Sequence, residues 1–572
     1  MKTVWGDKLD RNQVLQEYPR PQMKRGSYLN LNGAWEYAIT ETEAPPEEYD
    51  GEILVPFSPE SELSGVLRTL LPSQTLWYKR TLRLPDGFRR GRVLLHFGAM
   101  DQEATVSING TELGSHVGGY TPFSLDITSC LREENTIVVK VRDYSDSSYY
   151  SRGKQKTNRG GIWYTAQSGI WQTVWMESVP QEYIESIKIT PLFDESEVEL
   201  TVISEGRHPC RAKTDGAEAD FFSNEPVRLK IPNFTAWSPE NPHLYPLYTT
   251  MGQDSVESYF GMRKFSVGQD EKGVNRLFLN NEPYFHTGLL DQGYYCDGLY
   301  TAPSDEAMIF DIQTAKDMGF NMLRTHIKIE PLRFYYHCDR LGMLVWQDMV
   351  NGGGKYKTPT IASPLVTGIH WKDSRYRLFA REDKEGREQY DRELDETVHH
   401  LYNTVSIAMW VPFNEGWGQF DAADAVKRIL SLDKTRTIDH ASGWHDQKIG
   451  EIKSLHVYFK PYRFKRDKQS RAVVLSEFGG YNYRAEGHCF NDRDFGYKRL
   501  KTEKELLSAY ERLYYKEILP AKEKGLCATV YTQLTDVEDE LNGLISYDRK
   551  VVKLPAENVR EINDKLKSRL MT

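Results

Sequence analysis

Two short segments, VPFNEGWG at residues 411–418 and VVLSEFGG at residues 473–480, decide the fold of the region around them. In each segment an apolar run, typical of a buried β-strand, ends at a glutamate: Glu415 in the first and Glu477 in the second. Glycines follow both glutamates, which predicts that the strand passes into a loop at this point.

The sequence around these two segments alternates between strand and helix patterns from about residue 269 onward. Eight strands over about 300 residues match a (β/α)8 TIM barrel, in which the C-terminal strand ends carry the active site. The predicted strands are residues 283–290, 320–325, 343–348, 407–413, 435–440, 454–458, 473–477 and 529–533. A long insertion at 350–390 precedes a helix predicted at 391–401, and a terminal helix is predicted at 555–566.

The chain before the barrel is predicted to be all-β. Residues 1–180 contain short runs rich in β-branched and aromatic residues, separated by turn signals such as Asn109-Gly110, as expected of a β-sandwich. Residues 181–268 form a smaller β region whose size suits an immunoglobulin-like sandwich. The predicted organisation is therefore multidomain: 1–180, 181–268 and 269–572.

Composition and charge argue against nucleic-acid binding and favour a carbohydrate ligand. With 572 residues, a net charge of -9 and a pI near 6.0, the chain lacks the basic footprint of a nucleic-acid-binding protein. We interpret the local basic stretch Arg152, Lys154, Lys156 and Arg159 as a solvated loop. The aromatic share of 12% mildly favours carbohydrate, because aromatic rings form the stacking walls of sugar pockets.

Localisation signals and cysteine chemistry point to a reducing compartment. The N-terminal residues have no apolar core of a signal segment, and no stretch approaches 18 apolar residues, so we expect no membrane association. Unless a signal segment has been trimmed, the expected location is the cytoplasm. The six cysteines are scattered without a Cys-x-x-Cys pair, which favours reduced thiols over disulfides or a zinc site.

Two carboxylates at strand ends of one barrel predict a specific chemistry. They are the equipment for retaining hydrolysis of a glycosidic bond, in which one protonates the departing oxygen and the other attacks the anomeric carbon. The alternative is that each glutamate is a buried strand-end carboxylate satisfied by backbone donors.

Other segments give the chain a recognisable resemblance over nearly its whole length. They are LNGAW at 31–35, GGYTPF at 118–123, SGIW at 168–171, FGMR at 260–263 and the two glutamate segments. With these the chain resembles glycoside hydrolase family 2, which contains β-galactosidases, β-glucuronidases and β-mannosidases. The resemblance implies a sugar-binding jelly roll, an immunoglobulin-like domain and a catalytic barrel, in that order. LDQGY at 290–294 and LYTAPSDE at 299–306 are similar to a compact subgroup often labelled β-galactosidase.

The resemblance also implies roles for individual residues. It assigns Glu415 as the general acid/base and Glu477 as the nucleophile. Asn414 is expected to donate an amide hydrogen to the sugar 2-hydroxyl. Arg324, at the second strand end, is expected to hold Glu477 anionic, and Tyr458 is similar to the family's tyrosine beside the nucleophile.

Five further strand-end residues are expected to contact substrate, although each could instead be structural. They are Asp291, His326, Asp348, Trp444 and Gln533. No spacing matches a zinc signature, so no catalytic metal and no cofactor is predicted, while a peripheral magnesium or sodium ion stays open. The expected partner is an oligosaccharide or glycoside, and a homo-oligomer is left open.

The identity of the terminal sugar is only weakly indicated. Residues 287–292 and 530–533 depart from the patterns frequent in the family. The family's glucuronidases bind the uronate carboxylate through an Asn-x-Lys element after the eighth strand. The matching stretch here, residues 543–550, has no such element. Asn563-Asp564-Lys565 fits that element but falls in the predicted terminal helix; Arg549 or Lys550 could supply a cation instead. We therefore expect a neutral sugar, and the usual label of the subgroup that the chain resembles implies galactose ahead of mannose. The alternatives are a β-mannosidase, an α-L-arabinopyranosidase, a β-glucuronidase or galacturonidase, and a non-catalytic carbohydrate-binding protein.

Overall fold

The computed structural model describes residues 1–568 and begins with a sandwich of two antiparallel sheets. In spatial order, the larger sheet consists of Gly51–Val55, Gly33–Thr40, Thr75–Leu82, Asn135–Arg142, Glu103–Ile108 and Thr111–Val117. The smaller sheet consists of Leu29–Asn30, Val174–Val179, Arg92–Phe97 and Phe123–Asp126. Alternate side chains of these strands are buried between the sheets, for example Ile137, Val139 and Val141.

A second, smaller sandwich follows. Its three-stranded sheet consists of Ser186–Leu192, Glu197–Ile203 and Val227–Lys230. Its four-stranded sheet consists of Ala217–Phe222, Pro209–Thr214, Tyr245–Met251 and Asp254–Phe260. Trp237, fully buried, joins this unit to the barrel, because its indole N–H donates to the carbonyl oxygen of Asp339 at 2.8 Å. The divisions of the chain near residues 180 and 268 stay predictions.

Eight parallel strands form the third unit, which confirms the predicted TIM barrel. In chain order they are His286–Asp291, Met322–Thr325, Leu344–Asp348, Ile407–Val411, Thr437–Ile438, Ile452–Val457, Ala472–Gly479 and Leu526–Thr532. Hydrogen bonds link them in the order 5-4-3-2-1-8-7-6, so the barrel is nearly closed. A small sheet of Phe265–Gln269, Asn275–Leu279 and Glu282–Pro283 precedes it, and its apolar side chains pack against the barrel interior.

Helices alternate with these strands as predicted. One helix begins earlier than predicted, and two short helices occur in the predicted insertion. The α-helices are Asp305–Asp317, Leu332–Leu341, Thr358–Ile361, Ser363–Thr367, Lys384–Leu401, Ala422–Leu432, Glu503–Leu513, Leu519–Lys524 and Ala556–Lys567. The helix predicted at 391–401 begins earlier, because the Asp383 side chain accepts from the Gly386 N–H at 2.9 Å and caps it. Two of the short helices lie within the segment that was predicted as an insertion.

The six cysteines agree with the prediction of reduced thiols. All six cysteines are free thiols, and four of them are buried. Among residues 1–568, no helix combines the length and the apolar character needed to cross a membrane.

Candidate active site

The two predicted glutamates meet at the C-terminal end of the barrel, with a histidine between them. Glu415 follows the fourth strand, and Glu477 lies near the end of the seventh. His456 Nδ1 is 2.7 Å from Glu415 Oε1 and 3.4 Å from Glu477 Oε2. The nearest carboxylate oxygens of the two glutamates lie within 4.8 Å of each other.

The backbone at Glu415 adopts a conformation that is uncommon for a residue with a side chain. Its φ of 52° is in the left-handed region, where strain tends to mark functional sites. Hydrogen bonds hold both parts of the residue. Its backbone N–H donates to the carbonyl oxygen of Ser442 at 2.9 Å, and its Oε2 accepts from the indole N–H of Trp417 at 3.2 Å. The carboxylate is therefore fixed by its own chain and by its neighbours.

Arg324 organises the floor of the site. Its fully buried guanidinium donates to Asp348 Oδ1 at 2.9 Å, to Asn414 Oδ1 at 2.9 Å and to Glu477 Oε1 at 3.2 Å. The Tyr458 hydroxyl donates to the other carboxylate oxygen of Glu477. The predicted contact of Arg324 and Tyr458 with Glu477 is thus present in the structure.

Burial and charge determine the protonation of this floor. Burial alone would lower the pKa of Arg324, but the carboxylates of Asp348 and Glu477 raise it above its ordinary value. Burial raises the pKa of Asp348 to about 6, against the opposing effect of Arg324. Burial also lowers the pKa of His326 well below its ordinary value, so the imidazole bonded to Asp348 at 2.7 Å is neutral at pH 7.

The pKa of Glu415 is set by two opposing effects. Burial raises it, and the hydrogen bond and charge of His456 lower it; the net direction is below the ordinary value. The contact with His456 therefore outweighs burial in setting the pKa of Glu415.

A small cavity above this floor contains half of the predicted site residues. Glu415, Glu477, His326, Asn414 and Tyr458 line it. Arg324 and Asp348 lie beneath these residues and act through them.

The three remaining predicted residues also lie outside the cavity lining. Asp291 is buried and accepts from the Gly293 N–H at 3.0 Å. Gln533 is buried in hydrogen bonds with Gln292 and Asn542. Trp444 is half-buried beside His456, with ring centroids 6.4 Å apart. Their roles in substrate binding stay predictions.

Several lining residues were not anticipated. They are Lys154, Trp163, Asn351, Trp417, Tyr497 and Glu540, and His456 joins them through its contact with both glutamates. His456 precedes Tyr458 by two residues, so strand alternation placed both side chains on the same face. Trp417 lies two residues after Glu415, in the same short segment, so the sequence could have predicted that it lies near the site. The other five come from loops or from the first unit.

The solvated-loop interpretation of the basic stretch is wrong for two of its residues. Arg152 is buried and donates to the carbonyl oxygen of Gly353, and Lys154 lines the cavity. Arg159 is partly buried and pairs with Asp539 at 2.9 Å. The loop enters the barrel mouth because its positive charges meet the acidic residues 538–540, which follow the eighth strand.

Glu415, His456 and Glu477 are also close enough to hold a cation. Their ligand atoms already have partners, however: His456 is bonded to Glu415, and Glu477 accepts from Arg324 and Tyr458. This pairing favours the carboxylate chemistry over a metal site, and the prediction that catalysis needs no metal stays a prediction.

Three family models match successive parts of the chain. They are the sugar binding domain of glycosyl hydrolases family 2 at residues 66–180, a second domain of that family at 193–263, and its TIM barrel domain at 301–489. The chain belongs to glycosyl hydrolases family 2.

Individual relatives in family 2 carry different activity names. A β-galactosidase from Thermoanaerobacter pseudethanolicus is 25% identical over 63% of this chain and 47% of its own length. A β-glucuronidase from Streptococcus agalactiae is 23% identical over 70% of this chain and 68% of its own length. The match thus spans less than half of the first relative.

Solved structures of the family share the fold. The β-D-glucuronidase of Dictyoglomus thermophilum superposes with a TM-score of 0.74 at 17% identity, over 96% of this chain and 98% of that one.

The Tyr458 hydroxyl gives a direct test of this geometry. We expect Tyr458→Phe to lower the kcat of glycoside hydrolysis by roughly 10- to 100-fold, because a hydrogen bond to a charged group is worth about 1.5–3 kcal/mol. The measurement is kcat for wild type and variant, with circular dichroism to verify folding. Tyr462→Phe is the matched control, since the buried Tyr462 hydroxyl has no hydrogen-bond partner among residues 1–568. Equal activity of the two variants would contradict the proposed contact.

Proposed function

We propose that this protein is a retaining exo-β-glycosidase. The observation that carries the proposal is the short separation of the two carboxylates, whose nearest oxygens lie within 4.8 Å. Retaining enzymes hold their carboxyl groups about 5–5.5 Å apart, whereas inverting enzymes need about 6.5–9.5 Å to admit a water molecule. The spacing favours direct attack on the sugar by one carboxylate.

In the first step, Glu477 attacks the anomeric carbon and forms a covalent glycosyl-enzyme. Arg324 and Tyr458 each hold one oxygen of Glu477 and orient it for this attack. Glu415 gives its proton to the departing oxygen as the glycosidic bond breaks. In the second step, Glu415 takes a proton from a water molecule that attacks the same carbon and releases the sugar and Glu477.

His456 and Trp417 fix the position of the Glu415 carboxyl group. His456 Nδ1 lies 2.7 Å from Glu415 Oε1, and the Trp417 indole N–H donates to Oε2 at 3.2 Å. A sugar that fills the cavity excludes water, which disfavours the ionised form of this buried carboxyl. Substrate binding therefore favours the protonated form of Glu415, which the first step needs.

An aromatic cluster beside the cavity suits the leaving group. Trp163, Tyr356 and Trp417 contact one another with ring centroids 5.1–5.9 Å apart. Trp417 also donates to Glu415, the residue that protonates the departing oxygen. We place the aglycone against these rings, with one terminal sugar in the cavity below.

We propose a neutral terminal sugar, galactose ahead of mannose. The names of the relatives include both β-galactosidase and β-glucuronidase and do not separate the two. Arg549 is fully paired with Asp311 at 3.0 Å, and Lys550 lies 3.6 Å from Asp7; neither lines the cavity. The alternative uronate cations named from the sequence are thus engaged elsewhere.

The Asn-x-Lys match near the C-terminus is also part of the scaffold. Asn563 is buried and bonded to Thr287 at 2.7 Å, and Lys565 pairs with Glu561 one turn away. Both lie in the terminal helix, Ala556–Lys567, and neither lines the cavity. This position supports the interpretation that the match is a coincidence.

The acid/base role of Glu415 predicts a dependence on the leaving group. Glu415→Ala should lose roughly 10²–10⁴-fold in kcat/KM on alkyl glycosides and much less on 2,4-dinitrophenyl glycosides, whose leaving group needs no proton. External azide should partly restore turnover and give a β-glycosyl azide. Glu451→Ala, an exposed glutamate before the sixth strand, is the control. Equal losses on both substrate classes would refute the role.

The sugar preference is tested with a panel of p-nitrophenyl glycosides. We expect kcat/KM to be highest for the β-galactoside, followed by the β-mannoside, with the β-glucuronide and α-L-arabinopyranoside below them. A uronide turned over at least tenfold better, about 1.4 kcal/mol in transition-state binding, would reject the neutral sugar. Binding of glycans without turnover of any glycoside would favour the non-catalytic carbohydrate-binding alternative.

A further inference from the structure

A segment of the first unit enters the barrel mouth and brings a lysine into the cavity. A bridge between Ser151 and Gly352 ties residues 151–165 to the barrel, and the pairing of Gln155–Lys156 with Tyr164–Thr165 closes the segment on itself. The Lys154 side chain is 14% exposed, and its ammonium group lies 3.9 Å from Glu540 Oε2. At that distance the ammonium group makes no direct hydrogen bond to Glu540.

The Glu540 carboxylate is held by its neighbours, and one of its two oxygens has only a long hydrogen-bond contact. Glu540 is 1% exposed and lines the same cavity. Its Oε2 accepts from the Tyr164 hydroxyl, and its Oε1 has only a 3.5 Å contact with Asn542 Nδ2. The two side chains therefore present a donor and an acceptor side by side to whatever fills the cavity.

The place of Glu540 in the barrel indicates which part of the sugar it would face. Asn414 and Glu415 follow the fourth strand, whereas Glu540 follows the eighth, which lies across an eight-stranded barrel from the fourth. If Asn414 binds the 2-hydroxyl next to the reacting carbon, the opposite edge of the ring carries the 4- and 6-hydroxyls. In that orientation the edge would face Glu540 and Lys154, which lies 3.9 Å from it.

We propose that Lys154 and Glu540 select the terminal sugar by hydrogen bonds to its 4- or 6-hydroxyl, with Lys154 donating and Glu540 accepting. This inference rests on the proposed glycosidase activity and names the substrate class of that same site. A hydroxyl group can use both partners, since it donates and accepts. A uronate carboxylate beside Lys154 would also lie close to the Glu540 carboxylate, and like charges so close repel each other.

The test compares substrates that lack one hydroxyl in wild type, Lys154→Met and Glu540→Gln. The substrates are p-nitrophenyl β-D-galactoside and its 2-deoxy, 4-deoxy and 6-deoxy analogues. For wild type, loss of the 4- or 6-hydroxyl should lower kcat/KM roughly 10- to 100-fold, as expected for a hydrogen bond to a charged group. In Lys154→Met the same loss should cost less than about threefold, while the 2-deoxy penalty stays as in wild type.

Lys550→Met is the matched control, because this lysine lies outside the cavity and should leave all penalties unchanged. Glu540→Gln carries the same test if Lys154→Met fails to fold, as judged by its thermal midpoint. Unchanged 4- and 6-deoxy penalties in both variants would overturn the proposal. A tenfold wild-type preference for the β-glucuronide that Lys154→Met abolishes would also overturn it, since the lysine would then bind a carboxylate.

These results are distinct from a failure of the proposed function. If no glycoside is hydrolysed, or if Glu477→Ala keeps full activity, the glycosidase mechanism itself is wrong. If hydrolysis depends on Glu477 but the deoxy penalties do not respond to Lys154 or Glu540, only the selection by this pair is wrong.

Discussion

The buried guanidinium of Arg324 is the interaction on which the site depends. It starts from the second barrel strand and bonds to Asp348 on the third, to Asn414 after the fourth and to Glu477 on the seventh. It is the positive charge that stabilises two buried carboxylates, and removing one partner of such a group costs about 3–5 kcal/mol. A single side chain thereby couples the closure of the barrel to the orientation of Glu477, the proposed nucleophile.

The cavity itself is built by more than the barrel. The barrel supplies the two glutamates and His456, whereas Lys154 and Trp163 arrive on a segment of the first unit. The positive charges of that segment pair with the acidic residues after the eighth strand, which fixes the segment over the strand ends. The sandwich therefore contributes to the site directly, and the barrel alone would leave one wall of the cavity open.

The sequence predicted the parts of this arrangement that depend on local pattern. All eight strands were found because strand runs and helical runs differ in period, and Glu415 and Glu477 were found because each ends such a run. Asp291 ends the first strand and Gln533 follows the eighth, but nearness to a strand end does not by itself bring a side chain into the cavity. Asp291 bonds to the Gly293 N–H and Gln533 to Gln292 and Asn542, and neither lines the cavity. Lys154 lies some 260 residues before Glu415, and only the tertiary packing of its loop reveals its place.

The central claim is that Glu477 forms a covalent bond with the sugar during the reaction. The most direct measurement is inactivation by a 2-fluoro β-galactoside with a good leaving group, followed by peptide mapping of the trapped protein by mass spectrometry. The account predicts one sugar per chain, attached to Glu477 in the peptide that contains residues 473–480. A sugar attached to another residue would contradict it, as would hydrolysis with inversion of the anomeric configuration and no trapped intermediate.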